Sequence, residues 1–357
     1  MPEQAKKSGA VAAFLKHREV GLAAILIILF LLVGLRNPAF TTGSNALFIL
    51  EDTCIMIILA LGMLCVLLVG SIDISITAIM ALGAMTTGIV MKNNLTITET
   101  QAMLNGVMTN VTLRESTHIV VLVLIGMGIG ALCGAVNGLL IAYGKVLPIV
   151  ATLGMQYILY GLSHVISNGQ AVYRKDMPDS FIGLSRGNFL ALNSKIWMML
   201  AVFLLIYAFL TYFRRGRYLY AVGSNPEAAG MSGIRTARSI LLAHITMGAL
   251  AGLAGLLYAS RDTKITQDMA MGYEMYVIAA CVIGGVSVSG GRGKALGVVL
   301  GALTIGVINN ALTMLRLTGN SEFWKKAIQG ALILMAVIIN VIILRAKERR
   351  VLRDRRI

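Results

Sequence analysis

The chain has 357 residues, of which 57% are hydrophobic and only 13% charged, and its mean hydropathy is +0.81, far outside the range of ordinary soluble domains. That composition excludes a water-soluble globular enzyme and points to a polytopic membrane protein. The formal net charge of +15 would speak for a nucleic-acid partner in a soluble chain, but no basic patch is interleaved with aromatics here, and anchoring at the cytoplasmic face of a membrane accounts for the excess.

A helix that crosses a bilayer needs about 20 apolar residues and must pair every backbone group within itself. The first 18 residues carry Lys6, Lys7, Lys16 and Arg18 ahead of an apolar run, as a signal peptide would. The run is long, however, and Arg36-Asn37-Pro38 is no small-residue cleavage site, so it reads as a first span. In chain order, ten spans are expected at 19–35, 46–70, 76–91, 117–142, 147–167, 195–213, 239–260, 273–288, 295–315 and 325–344. The third and eighth are short, which predicts broken or re-entrant helices. The expected fold class is all-α, in one transmembrane domain over 1–357. Lysine and arginine are biased so that the tails 1–18 and 345–357 both fall in the cytoplasm.

Two longer outer loops are expected. Residues 92–116 carry N-x-T triplets at Asn94 and Asn110, which matter only in a glycosylated eukaryotic protein. Residues 168–194 carry Tyr173, Pro178, Phe181 and Phe189, with Trp197 just beyond, a pattern suited to short interfacial segments with aromatic anchors. Gly126, Gly130, Gly134 and Gly138 form a stripe at helical spacing, echoed by Gly248 and Gly252 and by Gly297 and Gly301, and predict close backbone packing. Cys54, Cys65, Cys133 and Cys281 all sit in apolar runs and read as small hydrophobes rather than as a disulfide framework or metal site.

The chain echoes itself once: Val69-Gly70-Ser71-Ile72-Asp73-Ile74-Ser75 aligns with Ile283-Gly284-Gly285-Val286-Ser287-Val288-Ser289, each between paired spans and each expected on the cytoplasmic side. A carboxylate buried at Asp73 requires a partner. The expected solution is a helix cap from Asp73 or Ser75, with a direct role in translocation as the alternative. The stretch Ser289-Gly290-Gly291-Arg292-Gly293-Lys294 reads as a tight turn with basic anchors, since the spacing of a nucleotide-binding P-loop is absent.

Between two apolar spans lies the polar loop 214–238, with Arg214, Arg215, Arg217, Arg235 and Arg238. Asn225 suits an N-cap, Pro226 the first helical position, Glu227 the positive end of the helix dipole and Gly233 a stop, which together predict a short surface helix from Pro226 to Ser232. Two readings stand for it: a lever that docks a soluble partner, or a helix held on anionic lipid.

Within or beside the spans lie Asn137, Gln156, His164, His244, Glu274, Asn309, Asn310, Gln329 and Asn340. Singly each suits interhelical hydrogen bonding; together they suit a path for a neutral, hydroxyl-rich solute, with Asp73, Ser75, Asn137, Gln156, Asn309 and Asn310 as the candidate lining. No series of intramembrane acids, arginine ladder, nucleophile with its base, or His/Cys metal cluster stands out, so no catalytic residue, cofactor or metal is expected.

The motifs Gly70-Ser71-Ile72-Asp73-Ile74-Ser75, Val222-Gly223-Ser224-Asn225-Pro226-Glu227-Ala228-Ala229 with Ser232-Gly233-Ile234, and Gly284-Gly285 through Gly290-Gly291-Arg292-Gly293 to Gly306-Val307-Ile308-Asn309-Asn310 closely resemble the ribose-type permease subunits of bacterial sugar ABC importers. The resemblance runs from about residue 20 to 344. It departs from the family pattern at Ser71 and Ser224, where glycine is usual, and in the longer loop 92–116. It implies an inner-membrane permease, paired with a second copy, that moves a monosaccharide-like solute by alternating access. A cytoplasmic ATPase and an extracytoplasmic solute-binding protein would serve it. Gly223, Asn225, Pro226, Glu227, Ala228, Ala229 and Gly233 would then form the element seated in the ATPase. The competing expectations are a free-standing carrier or channel, or a related permease for nucleosides or a furanone signal.

Overall fold

The computed structural model describes residues 18–104 and 107–315, with isolated helical positions at 327, 330, 331, 334 and 338. The tail segments 1–17 and 345–357 lie outside the described residues, as do Gln329, Asn340 and the rest of the tenth candidate span. The elements run α1 (Arg18–Arg36), α2 (Gly43–Leu68), α3 (Ile76–Asn93), β1 (Thr96–Leu104), β2 (Val107–Glu115), α4 (Ile119–Ala142) and α5 (Pro148–Ser167). After β3 (Val172–Tyr173) come α6 (Asp179–Arg186), β4 (Asn188–Phe189), β5 (Leu192–Asn193), α7 (Ser194–Tyr212), α8 (Arg214–Ser224) and α9 (Pro226–Met231). The described chain continues with α10 (Thr236–Asp262), β6 (Lys264–Ile265), α11 (Tyr273–Ile283) and α12 (Ala295–Met314).

Among the described residues, eight helices are long and apolar enough to cross a membrane: α1 to α5, α7, α10 and α12. The fold class is all-α and polytopic, as expected. The third span departs from expectation, because α3 is unbroken over 18 residues, or about 27 Å at the α-helical rise. The eighth does stop short: α11 has 11 residues, about 17 Å, roughly half the hydrocarbon thickness. It ends where Gly285 takes a left-handed φ of +94°, which a side chain would resist.

Helix α2 is the axis of the fold. It is apolar on every side, is buried continuously from Thr53 to Leu68, and is enclosed by α7, α10, α11 and α12. All-round hydrophobicity is the signature of a helix that meets protein on every face. By contrast, α4 and α5 each turn one side outward, with Leu124, Leu132, Tyr157 and Val165 exposed, as a lipid-facing surface requires.

The expected glycine packing is present. A Cβ on Gly130 would collide with the Gly248 carbonyl, one on Gly134 with the His244 carbonyl, and one on Gly252 with the Gly126 carbonyl, so α4 and α10 touch backbone to backbone. Gly297 and Gly301 bring α12 equally close to Gly284 and Ala280. The connection 92–116 is an antiparallel hairpin of β1 and β2 in register from Thr96–Glu115 to Leu104–Val107, favoured by its run of threonine, valine and isoleucine. In the second long connection α6 rests on α10: the Ser185 amide donates to Ser260 Oγ (3.0 Å) and the Ser185 hydroxyl to the Leu257 carbonyl (2.6 Å). Trp197 anchors that connection through its indole N–H to the Phe189 carbonyl, 2.9 Å.

Candidate functional site

The polar segment after α7 is two helices rather than a loop carrying one. Gly216, Leu219 and Val222 recur on one face of α8 and bury it, while Arg214, Arg215 and Arg217 stay exposed; this spacing makes the first half helical despite its charge. Asn225 ends α8 and starts α9, its side chain accepting the Ala228 N–H at 3.0 Å. Pro226 and Glu227 occupy the first turn as expected. The helix stops at Met231, one residue before the expected Ser232, whose hydroxyl turns back to the Ala228 carbonyl (2.9 Å). Gly233 follows with φ +80°. Only Ala229 in α9 is buried, and Met231 is 86% exposed. The result is a small protruding helix flanked by arginines.

Its attachment is rigid. The Tyr220 hydroxyl donates to the Gly293 carbonyl at 3.0 Å, and burial pushes that phenol up to about 12. A Cβ on Gly223 would strike the Leu68 carbonyl, and the Gly291 N–H donates to that same carbonyl at 3.0 Å. Gly70, Gly290 and Gly291 have φ of +75°, +92° and +71°. The two echoing turns, 69–75 and 283–294, thus meet each other and the α8–α9 junction at one point.

Just inside that junction lies a buried cluster around Asp73. Asp73 Oδ1 accepts from the Ser75 amide (2.9 Å) and hydroxyl (2.6 Å), and Oδ2 lies 3.4 Å from both His244 Nδ1 and Asn137 Nδ2. Asn137 Nδ2 also donates to Ser75 Oγ at 2.8 Å, and Ser71 Oγ is 2.9 Å from His244 Nε2. All these residues but Ser71, at 3%, are fully buried. Of the expected helix cap the Ser75 half is corrected: Ser75 is the N-cap of α3 but makes no capping bond with its side chain, because its hydroxyl is committed to Asp73, whose carboxylate takes the backbone N–H of that N-cap residue.

A second cluster forms where α3, α5 and α11 meet. The Thr77 hydroxyl donates to Glu274 Oε2 at 2.9 Å and accepts from the Tyr160 hydroxyl (3.0 Å) and Gln156 Nε2 (3.5 Å). The Gly272 N–H reaches the same Glu274 oxygen at 3.1 Å. Among the described residues no group of three His, Cys, Asp or Glu side chains is placed to hold a metal.

Residues 45–337 match the family described as branched-chain amino acid transport system / permease component. The chain belongs to this family of importer permeases. Over 318 residues, 88% of this chain and 91% of the relative, it is 33% identical to the ribose import permease protein of Escherichia coli (strain K12). It is 34% identical over 315 residues to the ribose import permease protein of Bacillus subtilis (strain 168), covering 88% of this chain and 90% of the relative. It is also 32% identical over 322 residues to the L-arabinose transport system permease protein of Escherichia coli (strain K12), covering 90% of each. No solved structure matches it. It is the permease component of an ABC importer, and ATP hydrolysis in such importers belongs to a partner subunit.

Within this permease the expected polar lining divides. Asp73, Ser75 and Asn137 belong to the first cluster and Gln156 to the second. Asn310 is in neither: its Oδ1 accepts from Asn45 Nδ2 at 3.2 Å and ties α12 to the start of α2, while the Asn309 carbonyl takes the Thr313 hydroxyl at 2.9 Å. His164 lies exposed on the outward side of α5. Thr77 and Tyr160 escaped the sequence reading; Tyr160 carried a usable signal, since it falls four residues after Gln156 and so shares its helix face.

Proposed function

We propose that this permease carries a monosaccharide across a bacterial inner membrane, driven by an ATPase seated on α9 and supplied by a solute-binding protein on the opposite face. The names of the relatives, for ribose and L-arabinose, support the solute class, and the neutral hydrogen-bonding side chains inside α3 and α5 fit a polyol. Both termini and the α8–α9 face lie in the cytoplasm, and a second copy of the permease completes the translocation unit. The chain folds as one transmembrane domain whose 214–238 segment is the coupling loop.

The observation that carries the coupling role is the mount of α9. A helix with only Ala229 buried would move freely if it were merely a surface loop. Instead, Gly223 is wedged against Leu68 and Gly291, so a force on Asn225, Pro226, Glu227 and Ala228 passes directly into α2 and the turn before α12. Alternating access then follows from tilting these helices against the rest.

The test is to reconstitute the permease with its ATPase and binding protein and measure sugar uptake per ATP hydrolysed. Glu227→Arg, and replacement of Asn225-Pro226 by Gly-Gly, should insert normally yet lower uptake per ATP about tenfold or more, a loss equal to about 1.4 kcal/mol of coupling. Wild-type coupling in both variants would remove the docking role from α9.

A further inference from the structure

Glu274 is 7% exposed, lies where α11 meets α3 and α5, and has no ion-pair partner among the described residues. An uncompensated carboxylate at such depth is costly and marks function more often than architecture. It accepts from neutral donors, the Thr77 hydroxyl and the Gly272 N–H. The hub of the cluster is itself a hydroxyl: Thr77 Oγ1 gives one hydrogen to Glu274 and receives from Tyr160 and Gln156.

Resting on the sugar-import reading above, we propose that Glu274, Gln156 and Tyr160 form a hydroxyl-recognition station for the solute in transit, with Thr77 holding the solute's place while the station is empty. A sugar hydroxyl has the same bonding capacity as the threonine hydroxyl, one donor and two acceptor lone pairs. It substitutes for Thr77 by donating to Glu274 and accepting from Tyr160 and Gln156. The exchange keeps Glu274, Tyr160 and Gln156 bonded at both stages, at the expense of the displaced Thr77 hydroxyl, and that cost keeps the site shallow enough for release. One further observation points the same way. Ser163, three residues beyond Tyr160 on the same buried face of α5, is fully buried and its hydroxyl has no protein partner, leaving a second donor and acceptor along that face.

The station also selects. A zwitterionic amino acid would find in Glu274 an acceptor for its ammonium but no cation among these residues for its carboxylate, whereas a neutral polyol presents only hydroxyls, which these neutral donors and the one carboxylate can pair. The chemical class it fits is a neutral sugar with adjacent hydroxyls.

The experiment uses the full complex of permease, ATPase and binding protein in vesicles, with D-ribose, D-galactose, L-arabinose and L-leucine as separate probes. Wild type should take up at least two of the sugars, at different rates, and not leucine. Glu274→Gln should lower uptake of the preferred sugar about tenfold, as expected for losing a charge-assisted hydrogen bond. Both Glu274→Gln and Tyr160→Phe should change the ratio of rates among the sugars about threefold or more, because a lost contact weighs differently on differently placed hydroxyls. Unchanged ratios in both variants, or an equal loss for every sugar accompanied by a lower melting temperature, would assign the cluster to structure and overturn the proposal. Should Glu274→Gln fail to insert, the ratio in Tyr160→Phe decides alone. A wild type that moves none of the sugars would sink the sugar-import reading itself, and the station with it; a wild type that takes up sugar beside variants with unaltered ratios sinks only the station.

Discussion

Among the described residues two carboxylates lie buried, Asp73 and Glu274, and their surroundings differ in kind. Asp73, in the turn after α2, faces a histidine, an asparagine and the serine two residues on, each held within 3.4 Å and each from a segment that must keep its place: α10, α4 and the start of α3. Glu274 faces a threonine, which shares its hydroxyl with a tyrosine and a glutamine. The first is held by framework residues, tightly by Ser75 and more loosely by His244 and Asn137, and sits directly behind the turns that meet the α8–α9 junction. The second accepts from the Gly272 N–H and from the Thr77 hydroxyl, whose place a solute hydroxyl takes in the proposal above. Burial alone does not tell a brace from a binding site; what decides is whether the partners belong to the framework or can be exchanged.

The largest effect should come from the brace. Asp73→Ala leaves the His244, Asn137 and Ser75 donors without their acceptor, at a cost of about 3 to 5 kcal/mol. Thermal unfolding in detergent should show little folded permease, and a melting curve like that of wild type would contradict the assignment. Gly134→Leu attacks the same cluster indirectly, because any side chain there meets the His244 carbonyl and pushes α4, with Asn137, off α10. Overpacking of this kind costs about 1 to 3 kcal/mol, and the melting temperature should fall accordingly, whereas Gly128→Leu on the open side of α4 should leave it unmoved.

The smallest effect should appear at Tyr220, which joins α8 to the second turn. Its folded value is raised from 10.0 to about 12, so burial of the neutral phenol contributes stability that is whole below pH 10 and declines as the pH climbs toward 12. Tyr220→Phe should lose the bond to Gly293, about 1 kcal/mol at neutral pH, and should show a shallower alkaline decline than wild type. Identical alkaline slopes would show that the phenol does not titrate with folding.

Much of this was legible beforehand because it follows from local rules. The capped helix at Asn225 and Pro226, the stop at Gly233, the glycine seam of Gly130 and Gly248, and the truncated span ending near Gly285 all announce themselves within a few residues. The repeat of Gly70 and Gly284 identified the two turns, although only the fold reveals that they touch. Other features depend on distant segments meeting. The residues alone assign Asp73 or Ser75 to a cap of the next helix, because His244, 171 residues away, cannot be placed by periodicity. Thr77 sits in an apolar run and acquires meaning only from Glu274. Helix α8 was hidden by its arginines, which outweighed the spacing of Gly216, Leu219 and Val222, and the hairpin of β1 and β2 was hidden by the expectation of a plain loop.

The most direct test of the whole account is to place permease, ATPase and binding protein in sealed vesicles and measure D-ribose accumulation with and without ATP, and with proton or sodium gradients imposed in its absence. The account predicts accumulation with ATP and none on either gradient alone. Accumulation driven by an ion gradient with no nucleotide present would contradict it.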